Sequence, residues 1–386
     1  MSTRLVVSAL VFVLVSGSCG PAPATLRPSP SPSAVAATAP SPAPYLSYLP
    51  RPETLVTPEP SSTPGPMGFS CRLPIYRLDS NTPPQSQVGF LSVPAGSVTL
   101  QPAPALPAGS VAGPNTLYPS AFYYDRPFSR WVPAARGSLS PDGSHYAYPV
   151  FPAIDQEVMR IVDVATGDVR SYPATHAEFK LARYVVVDYA KEGIYLGLAY
   201  EGPISGLWLM DPNTGAIRDV AGLPSLQAIA GSAVWLGNAN PADPNPAPGG
   251  LGPAADSVDR FDLVTGNHTP WLYLPGSVVL VVAVDTAGHP LVLVGHGASD
   301  NAELLLLTSP GAAQQIFHGT RTELGWITAF SSAPAWWDMA MRLGSPIADS
   351  HGVWFGSPSG IYLYSTTVGM RKVSDQAGYP ANGCTQ

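Results

Sequence analysis

Residues 137–172 read GSLSPDGSHYAYPVFPAIDQEVMRIVDVATGDVRSY, and this stretch decides the fold. Predicted strands over 137–139 and 145–150 flank a Ser-Pro-Asp-Gly turn, and predicted strands over 158–164 and 168–172 flank a turn that ends in Thr-Gly. Glycine adopts the positive φ that such turns need, and alternating aromatic and β-branched residues suit a pleated sheet. The stretch therefore predicts two hairpins, which together make four antiparallel strands.

Degraded copies of both hairpins recur down to the C-terminus. The second hairpin returns with turn glycines Gly167, Gly215, Gly266, Gly311 and Gly369, and the first with Gly143, Gly193, Gly231, Gly288 and Gly352. A four-stranded sheet that repeats about every 45 to 50 residues is what a β-propeller blade requires. An irregular first blade over 69–76 and 88–102 completes an all-β propeller of six four-stranded blades, with five or seven blades as alternatives. A pair of antiparallel sandwiches is the alternative fold.

The motif of the repeat carries a family resemblance. SPDG followed by alternating aromatic residues, with D-x-x-T-G closing the unit, resembles the TolB-type propeller repeat between Gly137 and Ser374. The turns are less like those of the WD-type propeller. The whole chain also resembles uncharacterised bacterial lipoproteins, and that likeness implies no activity.

The N-terminal region is typical of an exported lipoprotein. Arg4 precedes an apolar run over 5–15, which is too short to span a bilayer and is typical of a signal peptide. The following Ser-Gly-Ser-Cys19 resembles the bacterial lipobox, with Ser16 where leucine is preferred, and implies a diacylglycerol on Cys19. We therefore predict a lipoprotein signal peptide over 1–19, a Pro-, Ser- and Ala-rich disordered tether over 20–66 and the propeller over 67–386. An ordinary secreted protein is the alternative.

Charge and cysteine content indicate the surroundings of the protein. A net charge of −7 argues against a nucleic-acid partner, because the phosphate backbone favours a basic surface. If Cys19 carries lipid, two cysteines remain, Cys71 and Cys384. An even number of cysteines in an oxidising compartment indicates a disulfide. That bridge would join the first and last strands of the ring; two buried free thiols are the alternative. We expect a monomer in the bacterial envelope, anchored to the membrane through Cys19.

Three long connections indicate where a binding site lies. In a propeller the tight hairpin turns share one end of the blades, and the connections over 103–136, 238–255 and 318–346 leave from the other end. Loops on a rigid scaffold commonly carry recognition, and Trp, Tyr and Arg provide large contact surfaces. The predicted binding residues are Tyr123, Tyr124, Arg126, Arg130, Trp131, Trp336, Trp337, Asp338 and Arg342. The alternative is that these aromatic residues cap the core, with Arg126 and Arg130 tying the long loop down.

The sequence carries no catalytic signature. Motifs of nucleotide, metal or nucleophile sites are missing, so we predict no cofactor and no metal. Asp163, Asp211 and Asp262 belong to the repeat, where an Asp side chain accepts hydrogen bonds from the turn backbone. The leading hypothesis is that the propeller binds a protein partner or an envelope glycan. A carbohydrate-active hydrolase or lyase is the first alternative, and a structural scaffold in an envelope complex is the second.

Overall fold

A computed structural model describes most of the predicted propeller region. The described residues are 67–77, 86–104, 122–153, 156–174, 183–199, 204–238, 255–275, 277–295, 301–320, 346–357, 360–366 and 369–385. All of them belong to the compact unit Pro44–Gln386. The predicted signal peptide, the lipobox with Cys19 and the predicted tether lie outside the described residues. Among the described residues, no helix is long and apolar enough to cross a membrane.

The described residues form 25 strands and a single-turn 3-10 helix. The strands before the second blade are β1 (Cys71–Arg77), β2 (Gln87–Val93), β3 (Val98–Pro102), β4 (Tyr123–Asp125) and β5 (Arg130–Val132). The second and third blades contain β6 (His145–Ala153), β7 (Gln156–Asp163), β8 (Val169–Pro173), β9 (Arg183–Ala190), β10 (Gly193–Ala199), β11 (Ser205–Met210) and β12 (Ile217–Ala221). The fourth and fifth contain β13 (Leu226–Ala230), β14 (Ala233–Asn238), β15 (Ser257–Asp262), β16 (His268–Tyr273), β17 (Val278–Val284), β18 (Pro290–Gly295), β19 (Asn301–Ser309) and β20 (Ala312–Thr320). The sixth contains β21 (Ile347–Asp349), β22 (Gly352–Ser357), β23 (Gly360–Ser365) and β24 (Gly369–Ser374), and β25 (Tyr379–Pro380) ends the series.

The sheets confirm a propeller of six blades. Each blade is an antiparallel meander, and the last strand, β25, pairs with β1 to complete the first blade. Separate apolar clusters fill the spaces between neighbouring blades; Leu291 and Val353, for example, belong to the cluster between the fifth and sixth. Trp235 and Trp354 are the largest fully buried side chains. Burying one large apolar side chain contributes about 1.5–3 kcal/mol, so the stacked sheets stabilise one another.

The tight hairpin turns behave as their sequence predicts. At Gly167 the φ is +78°, and the Asp163 carboxylate accepts hydrogen bonds from the backbone N–H groups of Ala165 and Thr166, each at 2.8 Å. These bonds, led by the one from Thr166, lower the pKa of Asp163. The carboxylates of Asp211 and Asp262 make equivalent bonds, which confirms their structural role. We call the end of the blades that carries these turns the turn face, and the opposite end the loop face.

The second blade departs from the four-stranded prediction. Residues 137–139 were predicted to form its innermost strand. Instead, residues 137 and 138 belong to the 3-10 helix Arg136–Ser138, and Leu139 pairs with Tyr146 only through an isolated bridge. The reason is close packing: a Cβ on Gly137 would lie 2.6 Å from the carbonyl oxygen of Val187 in β9. The chain turns where its backbone meets the third blade, so the sheet β6-β7-β8 has three strands.

Candidate functional site

Four of the predicted binding residues lie in a small antiparallel sheet, β4 and β5, and Arg126 lies in the turn that joins the two strands. Its register pairs Tyr123 with Val132, Tyr124 with Trp131, and Asp125 with Arg130. Directly paired residues share one face of a sheet, and successive residues alternate between faces. The predicted aromatic residues are therefore divided between two opposite faces. We call the segment 122–134, which contains this sheet, the wedge.

One face of the wedge packs on the first blade. The ring of Phe90 in β2 lies 5.0 Å from that of Tyr124 and 5.8 Å from that of Trp131, measured between centroids. The Arg72 guanidinium lies 4.2 Å from the centroid of the same Phe90 ring. Phe122, at the start of the wedge, is buried with its ring 6.2 Å from that of Tyr76. The rings of this face are thus used in intramolecular contacts.

The opposite face of the wedge packs on the second blade. Val132 and Ala134 are buried in an apolar cluster with Tyr146, Tyr148 and other residues of β6 and β7, and Tyr123 packs against it. Burial raises the pKa of Tyr123, and the charges of Arg136 and Arg126 partly oppose that effect. The wedge therefore fills the space between the first and second blades.

Two arginines hold the tip of the wedge at the turn face. Arg126 donates from Nη2 to the carbonyl oxygen of Cys384 at 2.6 Å, and Arg130 donates to the carbonyl oxygen of Val164. Between them Asp125 is 1% exposed; its burial raises the pKa of its carboxyl, and the Arg130 charge opposes this. These contacts agree with the alternative interpretation of the sequence, in which Arg126 and Arg130 hold the long loop against the rest of the protein.

The C-terminal segment lies between the first blade and the wedge. On one side the backbones of Arg72 and Thr385 exchange two hydrogen bonds, at 2.8 and 2.9 Å. On the other side the N–H of Tyr124 donates to the carbonyl oxygen of Ala381 at 2.9 Å, and the Asn382 side-chain amide donates to the Tyr124 carbonyl oxygen at 2.8 Å. The chain end therefore joins the wedge to the ring.

The predicted disulfide between Cys71 and Cys384 is present at this closure. It joins β1 to the C-terminal segment across a sequence separation of 313, with the two Cα atoms 5.6 Å apart. Both cysteines are buried in the apolar cluster between the sixth and first blades. The bridge covalently joins the first and last parts of the ring.

Asp349 connects the sixth blade to the closure. Its Oδ2 accepts hydrogen bonds from the Trp354 indole N–H at 2.9 Å and from the N–H of Cys384 at 2.7 Å, and its Oδ1 accepts from the N–H of His351 at 2.7 Å. The ring of Phe69 stacks on the His351 imidazole with centroids 4.0 Å apart. Ligand atoms of Asp349, His351 and Cys384 lie within 4.8 Å of one another, so donors suited to a metal ion meet here. Sequence reasoning missed this cluster, because its members are brought together only by ring closure.

Two buried carboxylates mark the loop face of the fourth and fifth blades. Asp259 accepts from the Asn238 side-chain amide at 2.6 Å, and its Oδ2 lies 3.8 Å from Nδ1 of His268, whose side chain is 45% exposed. Burial raises the pKa of Asp259, and the Asn238 hydrogen bond and the His268 charge oppose the rise. Asn238 and Asp259 lie near the loop-face ends of β14 and β15, whereas His268 is the first residue of β16 and lies at its turn-face end.

The fifth blade repeats this arrangement with different residues. Glu303 accepts from the Gln315 side-chain amide at 2.8 Å, and its Oε1 lies 3.9 Å from Nδ1 of His318, whose side chain is 50% exposed. Neither His268 nor His318 was singled out from the sequence. The missed signal was the recurrence, in consecutive blades, of an acid near the start of the third strand and a histidine in the fourth.

The remaining predicted binding residues, Trp336, Trp337, Asp338 and Arg342, lie outside the described residues. The two ends of their interval are placed, however. Strand β20 ends at Thr320 and β21 begins at Ile347, both at the loop face. The structure therefore separates the predicted set: five residues lie in the wedge, and four belong to a connection that leaves from the loop face.

Solved structures align with this chain at low sequence identity and with TM-scores below 0.5. TolB from Acinetobacter baumannii superposes with a TM-score of 0.44 at 13% identity over 82% of this chain and 68% of its own. The uncharacterized protein lmo1340 from Listeria monocytogenes EGD-e gives 0.37 at 10% identity over 81% of this chain and 82% of its own. Prolyl oligopeptidase B from Galerina marginata gives 0.41 at 13% identity, and this chain spans only 40% of its length. No family model matches the sequence, and no curated protein matches it.

Proposed function

We propose that this protein is a lipid-anchored, extracytoplasmic β-propeller that binds a protein partner or an envelope glycan through its loop face. The observation that carries the proposal is the position of the long intervals between strands. The intervals after β3 (Val98–Pro102), β14 (Ala233–Asn238) and β20 (Ala312–Thr320) all open at the loop face, whereas short glycine turns join strands at the turn face. Elaborated connections on one end of a rigid scaffold are where recognition is usually found.

The loop face also presents polar groups in a defined geometry. His318 is about half exposed and lies near the buried Glu303, whose carboxylate accepts a hydrogen bond from the Gln315 amide. In the fourth blade the Asn238 amide donates to the buried Asp259 carboxylate at the same face. Imidazole, amide and carboxylate groups at a surface suit hydrogen bonding to sugar hydroxyls or to a peptide backbone. The wedge residues, in contrast, have a structural role in this proposal, because their contacts are intramolecular.

Capture of a partner by the purified protein tests the location of the site. The variant Trp336→Ala/Trp337→Ala should lose capture from a solubilised envelope fraction while its melting temperature stays unchanged. The matched control is Trp131→Ala in the wedge, which should lower the melting temperature and spare capture, because removing a packed Trp side chain costs about 3 kcal/mol or more. Unchanged capture by the double variant would refute the assignment to the interval 321–345. Failure of the wild-type protein to capture any partner would count against the proposed binding function.

The anchor is tested separately. Mass spectrometry of the mature N-terminus should show diacylglycerol on Cys19, and the variant Cys19→Ala should be released from the membrane fraction. An unmodified N-terminus at another position would refute the anchor and leave an ordinary secreted protein. Size-exclusion chromatography with light scattering should give the mass of a monomer.

A carbohydrate-active enzyme is the second candidate function, and the buried carboxylates at the loop face favour it. A carboxyl whose pKa is raised by burial, as at Asp259, can act as a general acid. If the protein cleaves a polysaccharide, the variants Asp259→Asn or Glu303→Gln should abolish cleavage without preventing folding. Cleavage that survives both substitutions would exclude these two residues from the chemistry.

A further inference from the structure

The side chains at the ring closure include three zinc-type ligands, and a fourth is bonded to one of them. Oxygen, nitrogen and sulfur atoms of Asp349, His351 and Cys384 lie within 4.8 Å of one another, and Cys71 is joined to Cys384. Within the described ranges, no other group of three acidic, histidine or cysteine side chains comes this close. Two cysteines, one histidine and one carboxylate make four ligands, which is the number that Zn²⁺ takes in structural sites.

The imidazole of His351 is already positioned as a ligand. Its ring is stacked on Phe69, and its Nδ1 atom is buried, lies 3.4 Å from Oδ1 of Asp349 and makes no hydrogen bond with any described residue. A buried ring nitrogen without a hydrogen bond costs free energy unless another group uses its lone pair. Asp349 is held in turn by the Trp354 indole and the Cys384 N–H. Outer contacts of this kind orient metal ligands.

We propose that, when the disulfide is reduced, Cys71, Cys384, His351 and Asp349 bind one Zn²⁺ ion that keeps the ring closed in place of the covalent bridge. A phosphine or dithiol reductant supplies two electrons, the S–S bond breaks, and the two sulfurs take up two protons. Binding of Zn²⁺ then displaces those two protons and forms two Zn–S bonds. With Zn–S bonds of about 2.3 Å in a tetrahedron, the sulfurs separate to about 3.8 Å. The Cα separation of 5.6 Å leaves room for that change.

The charges around the site balance. Two thiolates and the Asp349 carboxylate carry three negative charges, and Zn²⁺ together with the Arg126 guanidinium carries three positive ones. Arg126 is held beside the site by its 2.6 Å hydrogen bond to the Cys384 carbonyl oxygen. Sulfur and imidazole ligands favour Zn²⁺ over Mg²⁺ or Ca²⁺, which prefer oxygen. The site therefore discriminates by the chemistry of its donors.

Titration with Co²⁺ as a spectroscopic substitute for Zn²⁺ tests the proposal. The variant Cys19→Ser leaves Cys71 and Cys384 as the remaining cysteines of the chain. Reduced anaerobically with a phosphine, this protein should bind one equivalent of Co²⁺ with the visible absorption of a tetrahedral thiolate site, and Zn²⁺ should displace the Co²⁺. The oxidised protein should show no such absorption. Failure of the reduced protein to bind Co²⁺ stoichiometrically would overturn the proposal.

A histidine variant with a matched control separates this site from binding by free thiols. His351→Ala in the reduced protein should weaken Co²⁺ binding at least about tenfold, because a ligand is lost. The control is His145→Ala: the His145 side chain is 29% exposed, as is that of His351, and lies 3.7 Å from Asp163 with no cysteine in the pair. Equal affinities in the two variants would overturn the proposal. If reduction unfolds the protein, Zn²⁺ should restore the fold, since an ion that binds only the native state stabilises it; a reduced chain that Zn²⁺ does not refold contradicts the inference.

Discussion

Removal of the Asp349 carboxylate should destabilise the oxidised protein far more than removal of another turn carboxylate. In Asp349→Ala the indole N–H of Trp354 and the N–H of Cys384 both lose their acceptor. Trp354 is 0% exposed and Cys384 is 9% exposed, so water cannot easily replace the carboxylate. The cost of leaving a buried donor unpaired is about 1–3 kcal/mol.

Two such donors give an expected loss of about 4 kcal/mol in the free energy of unfolding, which is a factor on the order of 10³ in the equilibrium constant. The third donor, the N–H of His351, belongs to a half-exposed residue and should regain water at little cost. The control is Asp163→Ala, whose two backbone donors, Ala165 and Thr166, are exposed. Loss of an exposed cap of this kind costs about 1 kcal/mol.

Urea unfolding followed by tryptophan fluorescence measures both variants under identical oxidising conditions. The midpoint of Asp349→Ala should fall about four times as far as that of Asp163→Ala, with similar m-values for the two. Asp349→Asn should lose less than Asp349→Ala, because an amide oxygen in the position of Oδ2 can accept both bonds and only the N–H of His351 loses its acceptor. Equal losses of unfolding free energy in the two alanine variants would refute the reasoning. They would show that the Asp349 hydrogen bonds stabilise the protein no more than those of an exposed turn carboxylate do.

Three further outcomes follow from the structure. Burial raises the pKa of Glu157 to about 8 from an ordinary 4.5, so the ionised form is disfavoured in the folded state. Stability should therefore fall as pH rises from 4.5 to about 8, by on the order of 5 kcal/mol, and Glu157→Gln should flatten that slope in urea titrations at several pH values. Removal of the disulfide in Cys71→Ala/Cys384→Ala should cost between about 2 kcal/mol and the chain-entropy limit of about 5.7 kcal/mol for a sequence separation of 313, and an unchanged urea midpoint would contradict that. Gly143→Ala should lower the free energy of unfolding by at least about 1 kcal/mol more than Gly167→Ala does. Both glycines have a positive φ, but only at Gly143 would a Cβ lie 2.5 Å from the buried Asp125 carboxylate. Equal shifts in melting temperature would show that the Asp125 side chain moves freely.

The repeat could be predicted from the sequence because its signals are local. Gly143 and Gly167 have the positive φ that their turns required, and the same holds for all ten turn glycines identified in the sequence. The turn aspartates likewise bond backbone groups two and three residues away. The disulfide could be predicted because a ring must bring its ends together and two cysteines remained. The turns could be predicted from residues that are close in sequence, and the disulfide from the number of cysteines.

The wedge could not be predicted in the same way. Its residues were recognised as unusual, but their environment depends on pairings more than 250 positions away, such as that of Arg126 with Cys384. An aromatic-rich loop has the same sequence whether it binds a partner or fills a gap between two sheets. The alternation of Tyr123 and Tyr124 between two faces was the available signal, since a strand exposed on one side would bury only one of them. The missing inner strand of the second blade was equally hidden, because it depends on contact between Gly137 and β9.

The side-chain contacts of the ring closure lie at the end of the blades opposite the proposed recognition surface, and this separation has a mechanical consequence. The disulfide, the Asp349 hydrogen bonds and the two arginines at the wedge tip lie at the turn face, and the pairing of β25 with β1 continues the closure toward the loop face. The intervals 239–254 and 321–345 leave from the loop face. Substitutions in those intervals should therefore change stability by less than about 0.5 kcal/mol, the usual range for surface sites, and should act on partner capture alone. A set of loop-face substitutions that lowers the melting temperature as much as Asp349→Ala would show that the two ends share the task of holding the ring together.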